Sequence, residues 1–177
     1  MLITITGTPG SGKSTLGRIL AQKLGYPFVS GGEMRGALAA KMRIDINELN
    51  RLGETGDTDT QVDNELIALC KDKDYVMDSY TAAHLFPQAF NVFVDANLDE
   101  RARRKLKTKY KDESYDTLKH AKKAISERVA SDLLRYKKHY NFNPYNHEHY
   151  DLILDSTKTS PEELVEQILK AVKKRNL

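Results

Sequence analysis

The sequence predicts a three-layer α/β fold, a five-stranded parallel sheet with helices on both faces, and three observations predict it. Five short β-rich runs alternate with longer stretches whose apolar residues recur at helical spacing, which is the pattern of parallel strands joined by right-handed crossovers. The first run, Leu2-Ile3-Thr4-Ile5-Thr6, enters the glycine-rich turn Gly7-Thr8-Pro9-Gly10-Ser11-Gly12-Lys13-Ser14-Thr15, which opens into a helical pattern. Four polar features, namely this turn, residues 31–35, residues 78–80 and Asp95, fall at the carboxyl ends of strands, where such sheets bind ligands.

The elements follow in order. The first helix carries Leu16, Ile19, Leu20 and Leu24 and ends at Gly25-Tyr26-Pro27. Phe28-Val29-Ser30 is a short strand, and residues 33–42, after Gly31-Gly32, read as a helix. Another helix is expected over residues 46–54 with Asp45 as its N-cap. A polar turn region over 53–60 and a helix over 61–71 come next, the latter with Val62, Leu66, Leu69 and Cys70 apolar. Tyr75-Val76-Met77-Asp78 and Phe90-Asn91-Val92-Phe93-Val94-Asp95 are strands, each ending in an acid. Helices are expected over 98–109 and about 114–140, the second with the stripe Leu118, Ala121, Ile125, Val129, Leu133, Tyr136 and Tyr140. Asp151-Leu152-Ile153-Leu154-Asp155 is the last strand. The last helix spans 161–174, with Ser160 as cap and Pro161 at its first position.

Composition narrows the class. A chain of 177 residues, 40% hydrophobic and 30% charged, fits one globular domain with a wet surface, and no repeat, low-complexity tract or linker divides it. The net charge of +3 is local in origin: Arg101, Arg103, Arg104, Lys105, Lys107, Lys109 and Lys111 form one basic run. No aromatic–basic groove signature accompanies that run, so no nucleic-acid partner is expected. The single cysteine, Cys70, sits among apolar residues and reads as buried filler. No leader-like segment precedes the first strand, and no apolar run approaches the ~18 residues of a membrane span. A soluble, cytoplasmic monomer is therefore expected.

The turn carries the chemistry. Gly7, Gly12, Lys13 and Ser14 fill the template G-x-x-x-x-G-K-[ST] in its required context, strand before and helix after. A polyphosphate needs many donors close together. Gly10 and Gly12 let the main chain approach so that successive N–H groups point inward, and the helix adds its positive end. Thr8, Pro9, Ser11 and Thr15 complete the loop. Lys13 is expected on the β- and γ-phosphates, and the Ser14 hydroxyl on Mg²⁺. The expected ligand is a nucleoside triphosphate, and the fold is of the P-loop NTPase type. No Asn-Lys-x-Asp stretch is present, which disfavours a regulatory GTPase.

Beyond the turn, the chain resembles nucleoside monophosphate kinases, most closely the short archaeal-type cytidylate kinases. The resemblance rests on Gly7 to Thr15, on Val29-Ser30-Gly31-Gly32-Glu33-Met34-Arg35, on Val62-Asp63-Asn64-Glu65-Leu66 and on Asn97-Leu98-Asp99-Glu100-Arg101. It rests further on Arg128 with Arg135-Tyr136, and on Tyr150-Asp151-Leu152-Ile153-Leu154-Asp155-Ser156 before Ser160-Pro161-Glu162-Glu163. It implies transfer of the ATP γ-phosphoryl group, with Mg²⁺, to a nucleoside monophosphate, CMP or dCMP first. It implies that Arg35 grips the acceptor phosphate, that Gly31 belongs to the substrate-binding side and that Asp63 lies near the acceptor nucleoside. Asp78 would sit by the phosphates and Mg²⁺, Asp95 in a similar place, and Arg104, Arg128 and Arg135 would face the phosphates. Asp155, Ser156 and Lys158 correspond to the adenine-side loop. Residues 31–73 correspond to the acceptor-binding helices, and about 101–128 to a small helical lid within a single domain of residues 1–177.

One departure stands out. The resemblance implies an arginine two residues after the acid of the third strand, but the chain reads Asp78-Ser79-Tyr80-Thr81. Tyr80 offers a hydroxyl or a stacking face in its place. A kinase for another small nucleotide acceptor, or a nucleotide sensor with a decayed acceptor site, therefore stays open beside the leading reading. Elsewhere the bland readings prevail. His147-Glu148-His149 has the wrong spacing for two ligands on one helix face, and Tyr136, Tyr140, Tyr145 and Tyr150 read as packing along the long helix and its exit.

Overall fold

The β-branched and aromatic runs pair as strands β1 (Leu2–Gly7), β2 (Phe28–Ser30), β3 (Tyr75–Asp78), β4 (Phe90–Asp95) and β5 (Leu152–Asp155). In the computed structural model, which describes residues 1–177 except 57, 71–72, 108–114 and 176–177, all four strand pairs are parallel, in the order β2-β3-β1-β4-β5. β1 is central: Ile3 pairs with Val76 on one side and Phe90 on the other. The sheet grows away from β1 in both directions, so the crevice at its carboxyl end is the topological switch point.

A central strand is buried on both faces. Ile3 and Ile5 point one way, into a cluster with Val92 and Val94 that is covered by Leu16 and Leu20 of α1 (Lys13–Leu24) and by Leu164, Val165 and Ile168 of α8 (Pro161–Arg175). Thr4 and Thr6 point the other way and are also fully buried. Their hydroxyls are satisfied: Thr4 donates to Asn91 Oδ1 at 2.5 Å and Thr6 to the Ser79 carbonyl at 2.7 Å. On that second face, Val62, Leu66 and Cys70 of α4 (Thr58–Cys70) pack with Met77 and with Ala82 of α5 (Ala82–Leu85).

Helices α2 (Gly31–Met42), α3 (Ile46–Thr55), α6 (Leu98–Lys107) and α7 (Leu118–Tyr140) complete the chain. Capping residues set several starts. The Glu33 N–H donates to Ser30 Oγ, the Glu48 N–H to Asp45 Oδ1 at 2.8 Å and the His120 N–H to Thr117 Oγ1 at 3.2 Å. Ser160 and Glu163 form a reciprocal capping box, with the Glu163 N–H on Ser160 Oγ and the Ser160 N–H on Glu163 Oε2. α6 packs on the start of α7 through Ala102, Ala121 and Ile125.

Two expectations are corrected. The polar turn expected over 53–60 is mostly helix, because α3 runs to Thr55 and α4 begins at Thr58. Thr58, Asp59 and Thr60 are first-turn residues, where the same polar side chains that favour turns also favour helix starts. α7 begins at Leu118 rather than near 114, since the Thr117 side chain caps it. α5, one turn long, has too few residues to show a periodicity. The expected helix ends at Thr108-Lys109, Ser114 and Lys71, and Lys111 of the basic run, lie outside the described residues. No described helix is long and apolar enough to cross a membrane.

Candidate active site

The turn after β1 adopts the shape its glycines permit. Gly7 has φ +154°, and a side chain there would run into the Val94 carbonyl of the neighbouring strand. Gly10 has φ +83°, and a Cβ would lie 2.9 Å from the Arg101 carbonyl of α6. The loop is tied at its ends: the Ser11 N–H donates to the Thr8 carbonyl at 3.1 Å, and Thr8 Oγ1 to Asp95 Oδ1 at 2.6 Å. Gly12 precedes α1 with no side-chain cap, so the first N–H groups of that helix remain for a ligand.

Two side chains of α1's first turn face β3. Ser14 Oγ donates to Asp78 Oδ2 at 2.5 Å, and Lys13 Nζ lies 3.5 Å from both the Thr8 carbonyl and the Tyr80 hydroxyl. Burial lowers the Lys13 pKa, but Tyr80 and Asp78 more than offset it, and the net shift is upward. Burial pushes the Asp78 carboxyl up, against the pull of Lys13 and Ser14. Among the described residues no three His, Cys, Asp or Glu side chains cluster in a way that could hold a metal alone. The Ser14–Asp78 pair is an all-oxygen donor set at the phosphate loop, which suits Mg²⁺, an ion that takes few protein ligands and completes its shell with phosphates and water.

Across the crevice lies a chain of alternating charge. Arg35 of α2 is buried and donates to Asp59 Oδ1 at 2.5 Å and Asn50 Oδ1 at 3.1 Å. Arg135 of α7 is wholly buried and donates to Asp132 Oδ1 at 2.6 Å and Asn50 Oδ1 at 3.0 Å, with Asp59 3.7 Å away. Arg128 grips both oxygens of Asp132 through Nε, at 2.9 and 3.1 Å. Its Nη1 and Nη2 donate to no described residue, and a quarter of its side chain is exposed. Asp132 holds the Arg128 pKa up despite burial, whereas Arg35 is pushed down by burial that Asp59 only partly offsets. Asp63 is committed on both oxygens, accepting from Thr81 Oγ1 at 2.7 Å and from the Tyr140 hydroxyl at 2.6 Å. Gly31 lies against Ser79, whose Oγ would be 3.0 Å from a Cβ there.

On the other side of the phosphate loop, Ser11, Gly12, Thr15, Arg104, Ser156 and Thr159 line a cavity of about 270 Å³. Arg104 is a staple there. It donates to Glu100 Oε1, to the Ser11 carbonyl at 3.0 Å and to the Ser156 carbonyl at 2.5 Å. Asp155 is exposed and accepts from the Thr157 N–H, and Lys158 is exposed.

The structure thus brings Lys13, Ser14, Asp78, Tyr80 and Arg128 together, joins Arg35 and Arg135 behind them, and sets Arg104 on the cavity side. Sequence reasoning passed over Asn50, Asp59 and Asp132, and treated Tyr136 and Tyr145 as packing alone. Both rings flank Tyr80, at 6.2 and 6.1 Å between centroids, and the Tyr145 hydroxyl donates to Asp132 at 2.9 Å. Asp132 was legible, being four residues after Arg128 and three before Arg135 on one helix. Asn50 and Asp59 gave no such signal, because helix packing alone brings them to the arginines. Cys70 is 1% exposed with its thiol pushed to about 11 by burial, as filler should be. His147 packs on Phe93 at 4.8 Å.

Known proteins resemble this chain in sequence and in fold. The family model described as "Cytidylate kinase-like family" matches residues 2–158. A cytidylate kinase of Sulfolobus acidocaldarius is 32% identical over all of this chain and 97% of its own length. One of Natronomonas pharaonis is 36% identical over 92% of this chain and 84% of its own. Among solved structures, shikimate kinase from Bacteroides thetaiotaomicron superposes with a TM-score of 0.64 at 18% identity, covering 98% of each chain. An uncharacterised protein from Eubacterium ventriosum reaches 0.72 at 14%, also over 98% of each. At such identities these structures speak for the fold alone. Since the family match extends over residues 2–158 and the relatives over nearly the whole chain, the chain belongs to the cytidylate kinase-like family and is an ATP-dependent phosphotransferase.

Proposed function

We propose that this chain is a nucleoside monophosphate kinase that transfers the γ-phosphoryl group of ATP to the phosphate of a pyrimidine nucleotide, CMP or dCMP. The observation that carries the reading is the convergence of Lys13, from the phosphate loop, and Arg128, from the opposite helix, within 6 Å of the Tyr80 ring centroid. The name shared by the archaeal relatives supports cytidylate as the acceptor.

Both substrates of this reaction are anions, and the protein's task is to bring them together and offset their repulsion. ATP lays its phosphates on the main-chain N–H groups left open at the start of α1, those of Gly12, Lys13, Ser14 and Thr15, and its base in the cavity beside Arg104. Lys13 neutralises the β- and γ-phosphates. Ser14 and Asp78 hold Mg²⁺, which supplies Lewis-acid charge neutralisation when bound. Arg128, its Nε fixed by Asp132, offers Nη1 and Nη2 as a two-donor fork for the acceptor phosphate. Arg35 and Arg135 lie behind it and set the field, since three arginines face two aspartates in this cluster and leave one net positive charge for an incoming dianion. Gly31, Asp63 and Tyr80 shape the acceptor side within residues 31–73 and the β3–α5 loop. The lid is assigned to about 101–128, of which residues 101–107 and 115–128 are described, and would keep water from the γ-phosphoryl group. The working unit in this reading is a monomer in the cytoplasm, where a single buried cysteine needs no disulfide partner.

The test is an acceptor panel: all ribo- and deoxyribonucleoside monophosphates with Mg·ATP, with ADP formation followed. CMP or dCMP should give the highest kcat/KM. Turnover highest on a different monophosphate overturns the acceptor assignment. ATP hydrolysis indifferent to every monophosphate favours a nucleotide sensor instead.

A further inference from the structure

Tyr80 stands where the resemblance implies an arginine, and its surroundings say what it does there. Lys13 Nζ lies 4.8 Å from the ring centroid and 3.5 Å from the hydroxyl, and Arg128 Cζ lies 5.8 Å from the same centroid. One cation comes from the donor side of the crevice and the other from the acceptor side. The ring itself is held. Tyr136 stacks on it and Tyr145 meets it edge-on. Its neighbours are pinned on both flanks: Thr6 Oγ1 donates to the Ser79 carbonyl at 2.7 Å, the Thr81 N–H to Ser79 Oγ at 3.3 Å, and the Thr81 hydroxyl to Asp63 at 2.7 Å.

Two cations drawn together in a partly buried site repel each other. A carboxylate between them would offset this, but a substrate phosphate would then have to displace it. An aromatic face attracts both cations through its quadrupole and carries no net charge to displace. An arginine at this position would add a third cation to the unfilled site. We propose that Tyr80 is a positioning residue that holds the Lys13 ammonium and the Arg128 guanidinium on one aromatic ring, so that the donor-side and acceptor-side cations are converged before either phosphate arrives. This rests on the phosphoryl-transfer reading above and deepens it. The ring takes over the organising task of the absent arginine, and the site works without it.

The test has two arms. In the first, NMR of protein labelled at the lysine ε-carbon reads the Lys13 ε-methylene, assigned with Lys13→Arg, without any substrate. Its ring-current displacement should persist in Tyr80→Phe and vanish in Tyr80→Leu. In the second arm, with the best acceptor of the panel, Tyr80→Phe should keep kcat within about threefold. Tyr80→Leu should lose at least about tenfold in kcat while the Kd for ATP changes less than about threefold, and Tyr80→Arg should not exceed Tyr80→Leu. Tyr80→Met, which fills the volume without a π-face, replaces Tyr80→Leu if the latter does not fold. A Lys13 signal indifferent to loss of the ring, a Tyr80→Leu enzyme as fast as the original, a Tyr80→Phe enzyme as slow as Tyr80→Leu, or a Tyr80→Arg enzyme faster than the original overturns the proposal. If the original chain phosphorylates no monophosphate, the functional reading fails, and the first arm still decides the ring contact.

Discussion

Asp132 accepts from Arg128 Nε with both oxygens, whereas Asp59 accepts from Arg35 deep among helices α2, α3 and α4. The two arginines therefore respond differently to removal. Arg128→Ala deletes a fork whose side chain is a quarter exposed and should raise the acceptor KM at least about tenfold, which is ~1.4 kcal/mol of binding, with little change in the KM for ATP. Unchanged acceptor KM in steady-state kinetics would remove Arg128 from the phosphate site. Arg35→Ala leaves Asp59 buried and short of a partner, a loss of about 3–5 kcal/mol, so thermal unfolding should show a marked drop in Tm. The acceptor KM should also rise more than the ATP KM, and equal effects on both would count against its acceptor-side role. Lys13→Ala removes the cation on the transferring group, and normal rates in that variant would contradict its assignment. At this scale the sequence spoke clearly where a motif fixes the geometry, as at Gly7, Gly12, Lys13 and Ser14. It spoke poorly where one side chain's role depends on another's commitments. Asp63 reads as a free acid in the chain, yet both its oxygens are taken by Thr81 and Tyr140.

At the scale of elements, α7 supplies most of the side chains that the proposed reaction assigns to the acceptor side. Arg128, Asp132, Arg135, Tyr136 and Tyr140 recur at three- and four-residue spacing, so one face of one helix delivers a cation, its orienting acid, a buried cation and two rings. The stripe expected from the sequence on this helix is a different one, which shares only Tyr136 and Tyr140 with it; its Leu133 is exposed, while Asp132 and Arg135 are buried. The α3–α4 junction was not legible either, because its Thr and Asp residues suit a turn and a helix start equally well. The last helix offers a clean test of capping. Ser160→Ala removes the hydroxyl that accepts from the Glu163 N–H at 3.2 Å, for about 1 kcal/mol. In a chain of this size the Tm should fall by about 2–4 °C with kcat and both KM values unchanged. A larger loss, or altered kinetics, would mean that this helix start reaches the site.

For the whole molecule, the sheet order makes β1 the switch point, and the phosphate loop, the β3 end and the arginine cluster meet around it. The alternation of strands and helices announced the parallel sheet, since β-branched runs and helical stripes differ in period. Strand order did not follow from the residues, because β3 and β4 flank β1 through long crossovers. Burial has a global consequence for pH. Asp63 and Asp78 are both pushed above the ordinary carboxylate pKa, first by desolvation. The folded protein therefore binds more protons than the unfolded chain between the ordinary value and the raised one. Stability from these two groups is greatest below the ordinary value and declines as pH rises through that window. Asp63→Asn should flatten this part of the Tm–pH curve, and an unaltered curve would show that Asp63 does not titrate as its burial requires. Activity should run the other way under the proposed assignment of Asp78 to Mg²⁺, which would need that carboxyl ionised, so kcat should fall as pH drops into the same window. The claim on which all this turns is that two anionic substrates meet between Lys13 and Arg128. ³¹P NMR of the protein with Mg·ATP and CMP tests it most directly: CDP and ADP should appear together in equal amounts, whereas ADP and inorganic phosphate without CDP would contradict the account.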